Sequence, residues 1–80
     1  CTIVYTPKSD GVLNSIIYDA SGTITYKFNF QVLAKNGKKI VLNWIGKNLF
    51  GDYVAEGTYI CIIKVGENEK IVLPIIVQSN

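Results

Sequence analysis

Four carboxylates, Asp10, Asp19, Asp52 and Glu56, stand beside glycine turns, and loop oxygens of that kind are the ligands a calcium ion takes. The same placement has a simpler cause. An aspartate before or within a glycine turn accepts hydrogen bonds from its own backbone, and no D-x-D-x-D-G loop is present, so turn chemistry is the expectation and no metal is assigned. Cys1 and Cys61 are the other residues with chemistry to offer. A disulfide closing most of the chain would stabilise it by roughly 4 kcal/mol. The alternative is two unrelated thiols, with Cys61 a small core residue inside an apolar run and Cys1 a processing remnant or a lipid-bearing cysteine. Geometry decides between these readings, and both stay open at this point. The chain has no His, the commonest general base and metal ligand, and no Ser/Lys or Cys/His constellation can be assembled. The expectation is a non-enzyme with no catalytic residue and no cofactor.

Eighty residues at 8.9 kDa make a single domain, residues 1–80, since a chain this short cannot divide into two cores. With 49% apolar and 18% charged residues it must fold. Eight lysines against six acids, with no arginine, leave a formal charge of +2 spread along the chain. No basic stripe results, so nucleic acid is not an expected partner. No apolar stretch reaches the 18 residues of a membrane helix, and no charged segment followed by an apolar one marks a signal peptide. The chain begins with Cys, which reads as a processed mature protein or a piece of one.

Twelve Ile, eight Val and five Thr favour pleated backbone, and no window keeps the spacing of an amphipathic helix. Thr2 to Thr6 is a first strand stopped by Pro7, with Lys8-Ser9-Asp10-Gly11 as a turn. Val12 to Asp19 follows, and Asp19-Ala20-Ser21-Gly22 is a tight hairpin turn. From Thr23 to Val32 the alternation is strict, with Ile24, Tyr26, Phe28, Phe30 and Val32 on one face. Asn36-Gly37 then predicts a two-residue hairpin, making Lys38 to Trp44 the antiparallel neighbour of that strand. Gly46 to Gly57 is a loop long enough to cross between sheets, with room for a short edge strand. Thr58 to Val65 and Lys70 to Gln78 close the chain around Gly66-Glu67-Asn68-Glu69. Pro74 cannot donate to a ladder and belongs on an edge or at a bulge. Short strands at this spacing describe an all-β antiparallel sandwich of about seven strands.

Three segments carry a family resemblance: Thr6-Pro7-Lys8-Ser9-Asp10-Gly11-Val12-Leu13-Asn14, Tyr18-Asp19-Ala20-Ser21-Gly22, and Trp44 through Tyr59. They resemble the PNGDGxND opening, the YDxxG hairpin and the closing WDGxxxxGxxVxxGTY pattern of Ig-like domains related to the flagellar hook-capping protein and to C-terminal sorting domains of bacterial surface proteins. The likeness runs over about residues 6 to 66. It implies an Ig-like (fibronectin III-like) sandwich, secreted or on the cell surface, that serves as a spacer, attachment or assembly module. Ile45 stands where the pattern has Asp, which argues against a loop held by a carboxylate or an ion. On the residues alone, Trp44 can plug one end of the sandwich, while Gly46, Gly51 and Gly57 permit backbone closed to other residues and Tyr59 starts the next strand.

Half of so small a domain being apolar leaves side chains outside, in a patch that calls for a protein partner. Thr2 to Thr6 and Ile71 to Val77 are the strands best suited to pair across chains, with Ile3, Tyr5, Ile75 and Val77 as contact residues. Phe50 and Tyr53, in the glycine-rich loop, are the aromatics expected to be exposed, where rings can stack on sugars. The expected role is therefore a structural or assembly module that self-associates, in its strongest form a filament subunit joined to its neighbours by strand addition. The alternatives are a spacer or sorting domain joined to other domains of a larger secreted protein, and a sugar-binding module.

Overall fold

Turn residues cut the chain into strands, and the computed structural model, which describes residues 1–28, 32–67 and 69–78, shows where. Among these residues the strands are β1 (Thr2–Tyr5), β2 (Gly11–Tyr18), β3 (Ile24–Lys27), β4 (Val32–Ala34), β5 (Ile40–Asn43), β6 (Gly57–Val65) and β7 (Glu69–Val77), with no helix. Every pairing is antiparallel. β1 and β5 make a two-stranded sheet; β3, β2, β6 and β7 lie in that order in a second sheet, where β4 also pairs with β2.

The long alternating strand expected from Thr23 to Val32 is divided into β3 and β4, which both line the same strand. Their registers against β2 differ by two residues. An even offset keeps the same side chains inward, and Tyr26, Phe28 and Val32 all pack against the core. Ile24 departs from that face, since it pairs with Tyr18 beyond a register shift and lies exposed. Phe30 lies outside the described residues.

The expected pairing across Asn36-Gly37 does not form. β4 pairs with β2, and β5 pairs with β1 in the other sheet. The turn itself exists, closed by the Lys38 N–H on the Lys35 carbonyl at 3.0 Å. Gly37 has φ 81°, but among the described residues no non-glycine has positive φ, so Asn36 lacks the left-handed conformation that a two-residue type I′ hairpin needs. Contacts from the β1–β2 loop hold this corner instead: Gly37 N–H donates to the Pro7 carbonyl at 2.9 Å, and Asn36 N–H donates to Asp10 Oδ1 at 2.8 Å. The chain passes from one sheet to the other here.

Pro74 sits opposite Ile60 in an unbroken β6–β7 ladder, and β7 is the outer strand. Its nitrogen therefore faces the open edge, where no ladder bond is lost. Gly11, at φ 156°, begins β2 where a Cβ would meet the backbone of Gly66 at 3.4 Å, so the small residue lets the β6–β7 turn close onto β2. The Gly66 N–H completes that contact on the Val12 carbonyl at 2.9 Å.

The core lies between the sheets. Ile3 and Leu42, opposite each other on β1 and β5, meet Leu13, Ile17, Tyr59, Cys61, Ile63, Val65 and Ile75 from the larger sheet. Trp44, following β5, is 1% exposed and packs edge-to-face on Tyr59 with ring centroids 5.6 Å apart. Its indole N–H donates to the Lys47 carbonyl at 2.9 Å, which satisfies the polar handle a buried tryptophan brings with it. Glu69 ties the layers together by accepting from Tyr5 Oη, from Ser9 Oγ at 2.7 Å and from the Lys8 N–H at 3.0 and 3.1 Å.

Candidate interaction surface

Alternation along β2, β6 and β7 sends Leu13, Ile17, Cys61, Ile63 and Ile75 inward, so the residues between them point out. Those residues are largely apolar as well. Across the ladders Tyr18, Ile60 and Pro74 form one outward row, and Ile16, Ile62 and Val72 form the next. Ile24 extends the first row onto β3, and Val12 lies beside Leu33 toward β4. Ile76, at 70% exposure, stands opposite Thr58 at one end. The other end is basic, with Lys64 opposite Lys70 and Asn14 beside them. An antiparallel sheet with one solvated face ordinarily places polar residues there; here they are Asn14, Lys64 and Lys70 at one end, Thr58 at the other, and Lys27 opposite Ile16 on β3.

The Gly46 to Gly57 segment is the second exposed apolar feature. It is a small hairpin with a single bridge between Lys47 and Tyr53. Asn48 organises its tip, Oδ1 accepting from the Phe50 N–H at 2.9 Å and the Asp52 N–H at 3.1 Å. The Leu49 N–H anchors the loop to the Thr25 carbonyl at 3.0 Å. Phe50 is 88% exposed and Tyr53 75%, and the Lys47 ammonium lies 4.9 Å from the Tyr53 ring centroid. Both aromatics border a shallow depression of about 330 Å³ with Asp19, Thr25 and Asn48. Gly46, Gly51 and Gly57 all have positive φ.

Two of the four carboxylates beside the turns, Asp19 and Asp10, hold those turns. Asp19 Oδ1 accepts from Ser21 Oγ at 2.7 Å, from the Thr23 N–H at 2.9 Å and from the Ser21 N–H at 3.0 Å, and Gly22 closes the same turn on the Asp19 carbonyl. The Ser21 hydroxyl, followed by the Thr23 amide, keeps the Asp19 carboxyl below the usual range. Asp10 braces the Asn36 corner. Tyr59 lies in the third position of β6, its hydroxyl donating to the Ala55 carbonyl at 2.7 Å. Among the described residues no three His, Cys, Asp or Glu side chains come together as metal ligands, and no helix is long and apolar enough to cross a membrane.

The two cysteines are not bridged to each other in this structure, Cys1 being exposed and Cys61 buried. Cys61 lies on the inward face of β6 with its sulfur 3.3 Å from Ser15 Oγ, whereas Cys1 sits beside Trp44, its ammonium donating to the Trp44 carbonyl at 2.7 Å. Burial pushes the Cys61 thiol up, partly opposed by Ser15. A raised folded-state value means that the stability Cys61 contributes is intact below the pKa of the unfolded thiol, about 8.5, and is lost as pH rises through the folded value. Urea unfolding at about pH 7 and about pH 9.5, on either side of that unfolded value, checks this. The native chain is expected to lose more stability than Cys61→Ala over the interval, and parallel losses would refute it.

Of the four residues expected at a contact, Ile3 and Ile75 are buried and Tyr5 and Val77 half-buried. Ile3 and Ile75 belong to the buried core, and Tyr5 and Val77 pack against it. The pleat makes the difference, because the exposed residues of the same strands are their neighbours Val4, Val72 and Ile76. The outward rows escaped the sequence reading although a signal was there. Ile60-Cys61-Ile62-Ile63 and Ile75-Ile76-Val77 run apolar without alternation, which means both faces of those strands are apolar. No family model matches the chain, and neither does any curated protein or solved structure.

Proposed function

We propose that this chain is a non-catalytic, Ig-like structural module, secreted or displayed on a cell surface, that works by associating through its exposed apolar sheet face. The observation that carries this reading is the pair of outward rows, Tyr18–Ile60–Pro74 and Ile16–Ile62–Val72, on the face turned away from the core. Contiguous apolar surface of this kind on a small domain marks a contact with another surface. The Ig-like assignment draws on two antiparallel layers around one core and on the Tyr59–Ala55 bond, which is similar to the tyrosine corner of such domains. Sedimentation of the chain over rising concentration tests association: growth in mass is expected, and a sharp 8.9 kDa species throughout would remove the reading.

A second reading rests on the rigid Asn48 turn that holds Phe50 and Tyr53 in solvent. Two exposed rings beside polar side chains suit a saccharide, whose apolar faces stack on aromatics while its hydroxyls find acceptors. Binding on a glycan array that is lost in Phe50→Ala and Tyr53→Ala is the expected result, and equal signals from all three proteins would refute it.

A further inference from the structure

We propose that the outward face of the larger sheet is covered by the same face of a second copy, stacked so that the strands of the two copies run in opposite directions. This rests on the association reading above and fixes its partner and geometry. Extent favours a second copy. Four strands about 4.8 Å apart, the longest nine residues at about 3.3 Å each, present a face on the order of 500 Å². Two such faces together remove about 1,000 Å², the lower bound for a specific contact between proteins.

Charge selects the orientation. A dimer joined face to face has its two-fold axis in the plane of contact. An axis along the strands would gather Lys64 and Lys70 of both copies at one end, where like charges repel. An axis across the strands instead lays the Tyr18–Ile60–Pro74 row of one copy over the Ile16–Ile62–Val72 row of the other. Lys64 and Lys70 then come over Thr58 and Ile76, beside the depression that Thr58 shares with Asp19 and Glu56. Each basic end thus faces the end of the other copy beside which Asp19 and Glu56 lie, twice per dimer.

The β7 edge is the poorer route. Pro74 removes the outward N–H from the middle of β7's open edge, and proline on an edge interrupts addition of another strand.

Sedimentation velocity of the full chain, its Val72→Asp and Ile76→Asp variants and a charge-exchange set decides the matter. Both apolar positions are exposed, at 53% and 70%, so the variants keep the fold, as unchanged circular dichroism would verify. Between about 1 µM and about 500 µM, the range for an interface near the lower size limit, the native chain is expected to reach twice 8.9 kDa. Each Asp variant is expected to weaken dimerisation at least about tenfold. Lys64→Glu and Glu56→Lys should each weaken it about two- to fivefold, and the double exchange should restore it. A native chain that stays monomeric overturns the proposal together with the reading beneath it. Association undisturbed by Val72→Asp and Ile76→Asp overturns the proposal alone and leaves association through another surface. Sensitivity to both Asp variants without restoration by the charge exchange overturns the antiparallel stacking.

Discussion

Replacing Trp44 with Ala is expected to remove about 3–5 kcal/mol of stability, most of what a domain of this size possesses. The indole is the largest fully buried side chain, and truncation leaves a cavity that the surrounding strands cannot close. Three parts of the chain meet at this residue. The Trp44 backbone N–H donates to the Cys1 carbonyl at 2.8 Å, its carbonyl accepts from the Cys1 ammonium at 2.7 Å, and its indole N–H fixes the Lys47 end of the loop. Trp44→Phe keeps an aromatic against Tyr59 but loses the indole donor, leaving the Lys47 carbonyl to water, and is expected to cost less. Urea unfolding followed by circular dichroism measures both, since the only tryptophan is the one removed. A loss below about 1 kcal/mol for Trp44→Ala would show that the end of the sandwich is not plugged by this ring.

Glu69→Ala is the second substitution expected to act strongly, at about 1–3 kcal/mol. It strips the acceptor from three donors at once: the Tyr5 hydroxyl, the Ser9 hydroxyl and the Lys8 amide. These lie at the end of β1 and in the loop after it, while Glu69 begins β7, so the contact joins the two sheets directly. Glu69→Gln retains one acceptor oxygen and should fall between Glu69→Ala and the native chain. Chemical unfolding of the three proteins checks the order. If Glu69→Ala lies within about 0.5 kcal/mol of the native chain, the effect of an ordinary surface change, the bridge contributes nothing to stability.

Much of the local structure was legible because its cause is local. The Asp19 turn, the β6–β7 hairpin and the edge position of Pro74 follow from the conformations and donors of residues close in sequence. Trp44 was legible because the largest apolar side chain of so small a domain gains most from burial, and Tyr59 because it opens an apolar strand run. What failed to show involved distant partners. Asn36-Gly37 has the composition of a hairpin, yet it turns a corner because Pro7 and Asp10, far away in sequence, hold it. The inward or outward sense of Ile3, Tyr5, Ile75 and Val77 was hidden for another reason: strands apolar on both faces give the pleat no phase to read. The apolar outer face and the missed interior positions are thus one misreading, off by one residue.

The two layers are unequal, and this shapes how the molecule opens. β1 and β5 hold each other through four register pairs, while β6 is laced along its length to a strand on either side. Partial unfolding follows the weakest cooperative unit, so the thin layer peels away while the broad sheet persists. Cys61, sealed beneath that layer, then meets solvent briefly, and the pace at which a thiol reagent captures it becomes a clock for the domain's breathing.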